Sequence, residues 1–304
     1  MAKLISILLR AQIRMAKPLI KKGGIEASRK SQDNLGKWEA KVLEDKVDFR
    51  ARPFSRFRAA WAVPREARQS GAILYLHGGA YTAGTLEYAR GFGGVLAHAT
   101  HRSVLCAGYR LAPEHPFPAA LEDALDAYLY LLSKMDARHI LLAGESAGGG
   151  LCYALALRLR ELGHPLPAGI IALSPWTDLT CSGASYEENL RRDPTLYRDS
   201  LLESARCYGG MDLENPLISP VFGSFADFPP SLLFAGTYEL LRDDSIRLAD
   251  RLERAGSPCE LHLAEGMWHV YVLFGVPEAK EALARMETFA AELLGNTPFP
   301  GEDA

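Results

Sequence analysis

No apolar run in this 304-residue chain is long enough to cross a bilayer as a helix, and there is neither an internal repeat nor a low-complexity tract. Charge of either sign is barely in excess, with 34 Lys and Arg against 37 Asp and Glu, so there is no electrostatic case for a nucleic-acid partner. Cysteine is sparse: Cys106, Cys152, Cys181, Cys207 and Cys259 are odd in number, share no metal-ligand spacing and sit mostly among apolar neighbours. They read as reduced, partly buried thiols of a cytoplasmic protein without a metal site. Acidic residues are missing from positions 1–22, where Lys3, Arg10, Arg14, Lys17, Lys21 and Lys22 alternate with Leu4, Ile5, Leu8, Leu9, Ile13, Leu19 and Ile20. The apolar stretch there is short for a secretory signal and has no small-residue cleavage site after it. It is expected to form a basic amphipathic helix lying over the protein's own pocket, with membrane-surface contact as the other reading.

A hydrophobic content of 48% can bury a sizeable core. From residue 46 short β-rich runs appear at Val47–Phe49, Phe57–Val63, Ala72–Leu76, Val104–Tyr109, His139–Ala143, Ile170–Leu173, Leu232–Ala235 and Glu260–Ala264. Helical patterns near 87–100, 118–134, 146–162, 242–255 and 277–294 separate the later ones. Such alternation predicts an α/β fold with a mainly parallel sheet, helices on both faces and functional groups at the C-terminal strand ends. Residues 1–45 and 181–218 break the alternation. Each holds helical sequence, Thr195–Cys207 in the second, with apolar side chains in need of a partner. They are expected to join as a helical cap over core segments 46–180 and 219–304.

Gly144-Glu145-Ser146-Ala147-Gly148 lies between the apolar run Ile140–Ala143 and a helical stretch. A serine at a strand-to-helix corner is held in a strained, exposed position at a helix N-terminus, which suits a nucleophile. His77-Gly78-Gly79-Ala80-Tyr81 follows the strand Ala72–Leu76, and its glycines let backbone amides turn toward a ligand. Gly78 and Gly79, with the amide of Ala147, are the expected oxyanion donors. His269, after the last expected strand, is the candidate base. The acid that orients it is expected from residues 236–244, with Glu239 nearest the strand end and Asp243 as the alternative; Asp243 and Asp244 also suit a helix start.

These residues, with Tyr109–Ala120, Ser174-Pro175-Trp176 and Leu241-Arg242-Asp243, resemble the bacterial hormone-sensitive-lipase-like esterases of the α/β-hydrolase fold. The resemblance implies an eight-stranded α/β-hydrolase sheet and a serine carboxylesterase that acts on short- to medium-chain acyl esters without a cofactor. Its partner would be a small-molecule ester. Three positions depart from the family pattern: Glu145 replaces an aspartate, Ala80 replaces the third glycine, and Glu239 stands where the acid is usually aspartate. The 109–120 loop, rigidified by Pro113, Pro116 and Pro118, is expected to buttress the serine, with no chemistry for His115. The glycine spacing at 144–149 does not suit a dinucleotide. Two rival readings are an amidase or deacetylase on the same triad and a non-catalytic receptor, the latter disfavoured by the presence of His269. The last expected strand could form a sheet edge for a homodimer.

Overall fold

The computed structural model describes residues 2–22, 24–66 and 68–296. The side chains of Lys3, Leu19, Ile20, Lys21 and Lys22, part of the expected amphipathic pattern, lie outside the described residues. Eight strands form one sheet in the order β1-β2-β4-β3-β5-β6-β7-β8. They are β1 Val47–Pro53, β2 Arg58–Pro64, β3 Ala72–Leu76, β4 Ser103–Gly108, β5 Ile140–Glu145, β6 Gly169–Leu173, β7 Ser231–Gly236 and β8 Cys259–Ala264. The first two join antiparallel, β2 runs antiparallel to β4, and every later pairing is parallel.

Strand alternation explains why the core lies on both faces. In β3, Ala72, Leu74 and Leu76 enter one apolar cluster while Ile73 and Tyr75 enter the other. The first cluster is covered by α4 (Ala119–Leu132), α5 (Ala147–Glu161) and α8 (Arg242–Arg254), and the second by α3 (Leu86–Thr100) and α9 (Pro277–Leu294). All eight expected strands and the five expected core helices are present, with ends displaced by a few residues at most.

The two irregular segments lie near the C-terminal strand ends. Helix α1 (Ala2–Lys22) turns Ser6, Leu9, Arg10, Ile13 and Lys17 inward, a spacing of three and four residues that defines one helix face. Ser6 donates to Glu278 at 2.6 Å, Arg10 to the carbonyl of Gly266 at 2.6 Å and Lys17 to that of Asp193 at 2.7 Å. Helix α2 (Gly24–Val42) crosses α3 closely because Gly36 meets Gly91: a Cβ on Gly91 would lie 2.7 Å from the Gly36 Cα. The 181–218 segment contains α6 (Ser185–Glu188) and α7 (Arg198–Gly209). Helix α7 begins three residues later than Thr195, because Asp193 Oδ1 instead accepts the amides of Thr195 and Leu196 in a turn.

Candidate active site

Strand β5 delivers Ser146 into a sharp corner, with φ 55° and ψ −123°, and α5 starts at the next residue. That left-handed backbone is costly for a residue with a side chain, so it persists only where the surroundings fix it. They do so here: the Ser146 N–H donates to the Leu173 carbonyl at 2.8 Å and its carbonyl accepts the Trp176 N–H at 2.8 Å. The flanking glycines are required sterically. A Cβ on Gly148 would lie 2.0 Å from the carbonyl oxygen of Leu76, and one on Gly144 would lie 2.4 Å from that of Gly148.

His269 Nε2 lies 2.9 Å from Ser146 Oγ, and His269 Nδ1 lies 3.1 Å from Glu239 Oε2. The three side chains are buried, with Ser146 7%, His269 5% and Glu239 0% exposed. A carboxylate that accepts from Nδ1–H selects the tautomer whose Nε2 accepts a proton from the serine. Glu239 Oε1 is held by the Gly236 N–H at 3.1 Å, so the longer glutamate folds back onto its own turn. Asp243, the alternative acid, is elsewhere: Oδ2 accepts the Ser185 N–H at 2.8 Å and Oδ1 pairs with Arg242. Asp244 is wholly buried and accepts the amides of Thr177 and Asp178.

The oxyanion loop requires a correction. The Gly78 N–H, an expected oxyanion donor, is instead taken up by Glu145, donating to Oε1 at 2.6 Å. The longer carboxylate at position 145 reaches across to that amide, and its other oxygen accepts the Tyr75 hydroxyl at 2.5 Å. Burial pushes the Glu145 carboxyl up to about 7, opposed by the hydrogen bonds from Tyr75, Gly78 and Tyr88. Among the described residues, the amides of Gly79 and Ala80 have no internal acceptor. Gly79 has φ 112° and Ala80 has φ 53°, so Ala80 adopts a left-handed conformation that glycine would enter more freely. The His77 ring stacks on Tyr109 at 4.2 Å and its Nδ1–H donates to the Gly78 carbonyl at 2.7 Å. Burial lowers that histidine to about 4, so it is neutral and structural.

Several supports were not legible in sequence. Ser174 Oγ accepts the Val270 N–H at 3.0 Å, tying the Ser174-Pro175-Trp176 segment to the histidine loop. Asn189 Nδ2 donates to the Glu239 carbonyl at 2.9 Å, Asp193 Oδ2 accepts the Leu240 N–H at 2.9 Å, and Ser185 Oγ donates to the Leu240 carbonyl at 2.6 Å. The 181–218 segment therefore fastens the loop that carries Glu239. Asp193-Pro194 was the available turn signal, but nothing in it names a partner 47 residues away. From the other side, Arg29 of α2 donates to the carbonyls of Thr82 and Ala112 and forms a bidentate pair with Glu114, while Asp33 accepts the Thr85 amide. Glu114 thus anchors α2.

A family model for the alpha/beta hydrolase fold matches residues 73–273. An acetyl-hydrolase of Streptomyces hygroscopicus is 40% identical over 242 residues, spanning 78% of this chain and 80% of that protein. An ethyl acetate hydrolase of Pseudomonas putida is 32% identical over 230 residues, 70% of each chain. A solved esterase described as from the bacterial hormone-sensitive lipase family superposes with a TM-score of 0.87 at 34% identity, covering 94% of this chain and 97% of that one. The EstE5 structure soaked with p-nitrophenyl butyrate gives a TM-score of 0.83 at 33% identity, covering 93% and 98%. The chain belongs to the α/β-hydrolase fold family, in its branch of bacterial hormone-sensitive-lipase-like esterases, and is a carboxylic-ester hydrolase.

Proposed function

We propose that the chain hydrolyses short- to medium-chain acyl esters through an acyl-enzyme, with Ser146 as nucleophile, His269 as base and then acid, and Glu239 as the group that orients His269. The continuous hydrogen-bonded path from Ser146 Oγ through the imidazole to Glu239 Oε2 carries this reading. As Oγ bonds to the substrate carbonyl carbon, its proton passes to His269 Nε2 and the carbonyl electron pair moves to oxygen. The amides of Gly79, Ala80 and Ala147 then receive the oxyanion, at the N-terminal end of α5. Collapse breaks the bond to the alkoxy oxygen, which takes the proton from Nε2. Water attacks the acyl-serine by the same route, giving the acid and free Ser146.

In this reading residues 1–45 and 181–218 are a cap over the core segments 46–180 and 219–304. Its support is that α2 and the 181–218 segment grip, respectively, the oxyanion loop and the acid loop. That two relatives are named acetyl-hydrolase and ethyl acetate hydrolase supports acyl groups at the small end of this range. A p-nitrophenyl ester series from acetate to palmitate should peak at about four to eight carbons, with the matching anilides turned over more slowly, since amide cleavage needs a better-protonated leaving group. A palmitate optimum or faster anilide turnover would overturn the assignment. The free thiols Cys106, Cys152 and Cys181, all buried, support a cytoplasmic setting. Among the described residues, strand β8 pairs with β7 alone and ends the sheet, which supports a dimer through that edge.

A further inference from the structure

Helix α1 has a second apolar stripe that is left exposed by the described residues. Leu4, Leu8, Ala11 and Met15 are spaced by four, three and four residues, opposite to the inward Ser6–Lys17 face, and all are exposed, Leu8 at 57% and Met15 at 75%. Helix α2 repeats the pattern with Leu35, Trp38 and Val42, Trp38 being 64% exposed, beside the exposed cations Lys37 and Lys41. Isolated exposed apolar residues are ordinary on protein surfaces, but consecutive stripes at helical spacing mark a contact surface.

Charge identifies the partner. Residues 1–42 hold ten Lys or Arg and three acids, whereas the whole chain holds 34 and 37; Arg10, Lys17 and Arg29 are engaged inward, and among the described side chains Arg14, Lys30, Lys37 and Lys41 are exposed against a single exposed acid, Glu26. The helical pair is strongly cationic and the remainder strongly anionic. A two-fold contact between copies through these helices would set like charge against like, and a nucleic acid would leave the apolar stripes unburied. A bilayer with anionic headgroups meets both needs, apolar side chains entering the acyl boundary and the cations lying among phosphates. We propose that the outward faces of α1 and α2 bind the enzyme peripherally to an anionic lipid surface. This rests on the helix faces and their charge, independently of the roles assigned to Ser146, His269 and Glu239.

The full-length protein should float with vesicles of phosphatidylcholine containing about one third phosphatidylglycerol, bind pure phosphatidylcholine far less, and be released as salt shortens the Debye length. The double variant Leu8→Asp/Met15→Asp and the double variant Lys37→Glu/Lys41→Glu should each weaken vesicle binding by about tenfold or more. Both should hydrolyse soluble p-nitrophenyl butyrate in vesicle-free buffer at the wild-type rate, which reports intact folding separately from lipid binding. Absence of flotation, equal binding to neutral vesicles, or undiminished binding by both folded variants would overturn the proposal. So would a solution dimer that the Leu8→Asp/Met15→Asp change dissociates, since the stripes would then face a second copy.

Discussion

At Glu239 one additional methylene relative to aspartate is accommodated by the Gly236 amide, which fixes Oε1 while Oε2 reaches His269 Nδ1. Replacement by glutamine keeps the shape but removes the charge that stabilises the imidazolium. Steady-state kinetics should show kcat lower by about 10³–10⁴-fold, with KM little changed. Gly79 offers a second test. A methyl group there would lie 2.2 Å from the Ala83 carbonyl oxygen on a backbone with φ 112°. Gly79→Ala should lower kcat by about 10²–10³-fold by displacing an oxyanion amide. The positions of Ser146, His269 and Glu239 were legible because each follows a strand end in serine, acid, histidine order. The role of Gly78 was not. Which amide of a glycine pair turns toward substrate depends on where its competitor acceptor sits, and Glu145 lies 67 residues away in sequence.

At the scale of elements, the crossing of α2 and α3 is close enough to trap a carboxylate. Glu39 is buried, its Oε2 has no hydrogen-bond partner among the described residues, and desolvation alone pushes the group up to about 7. Tyr88 is the titratable neighbour across the contact and lies within electrostatic reach of both Glu39 and Glu145. A carboxyl raised on folding binds protons more tightly in the native state, so it stabilises below the ordinary carboxylate range and loses that stabilisation as pH rises from about 4.5 to about 7. Glu39→Gln should therefore match the wild type in acid and exceed it at pH 8 by on the order of 2–3 kcal/mol. Thermal melts at both pH values measure this. The helices themselves were legible from periodicity and composition, because α1 through α5 and α7 through α9 have apolar spacing or strong helix formers. Their docking was not, since the close approach depends on Gly36 and Gly91 meeting across 55 residues.

For the whole molecule, a parallel sheet buried on both faces explains why the strands read as near-continuous apolar runs and could be located without any partner in view. It also explains the exceptional edge. Five of the six residues of β8 are only partly buried and the sixth, Leu263, is exposed, so this edge strand retains an open row of backbone groups. Sedimentation should give twice the 33.3 kDa chain mass, falling to the single mass when Leu261 is replaced by proline. A monomer at all concentrations would show that the β8 edge does not pair with a second copy.

Acylation of Ser146 is the step on which the mechanism turns, and covalent labelling reports it without any ester assay. A fluorophosphonate should add once per chain, on the peptide containing Ser146, and His269→Ala should slow the addition by about 10³-fold or more. Ser146→Ala should take up no label and lose ester hydrolysis together. Labelling of Ser146→Ala equal to wild type, or an adduct confined to another residue, would rule out Ser146 as the nucleophile.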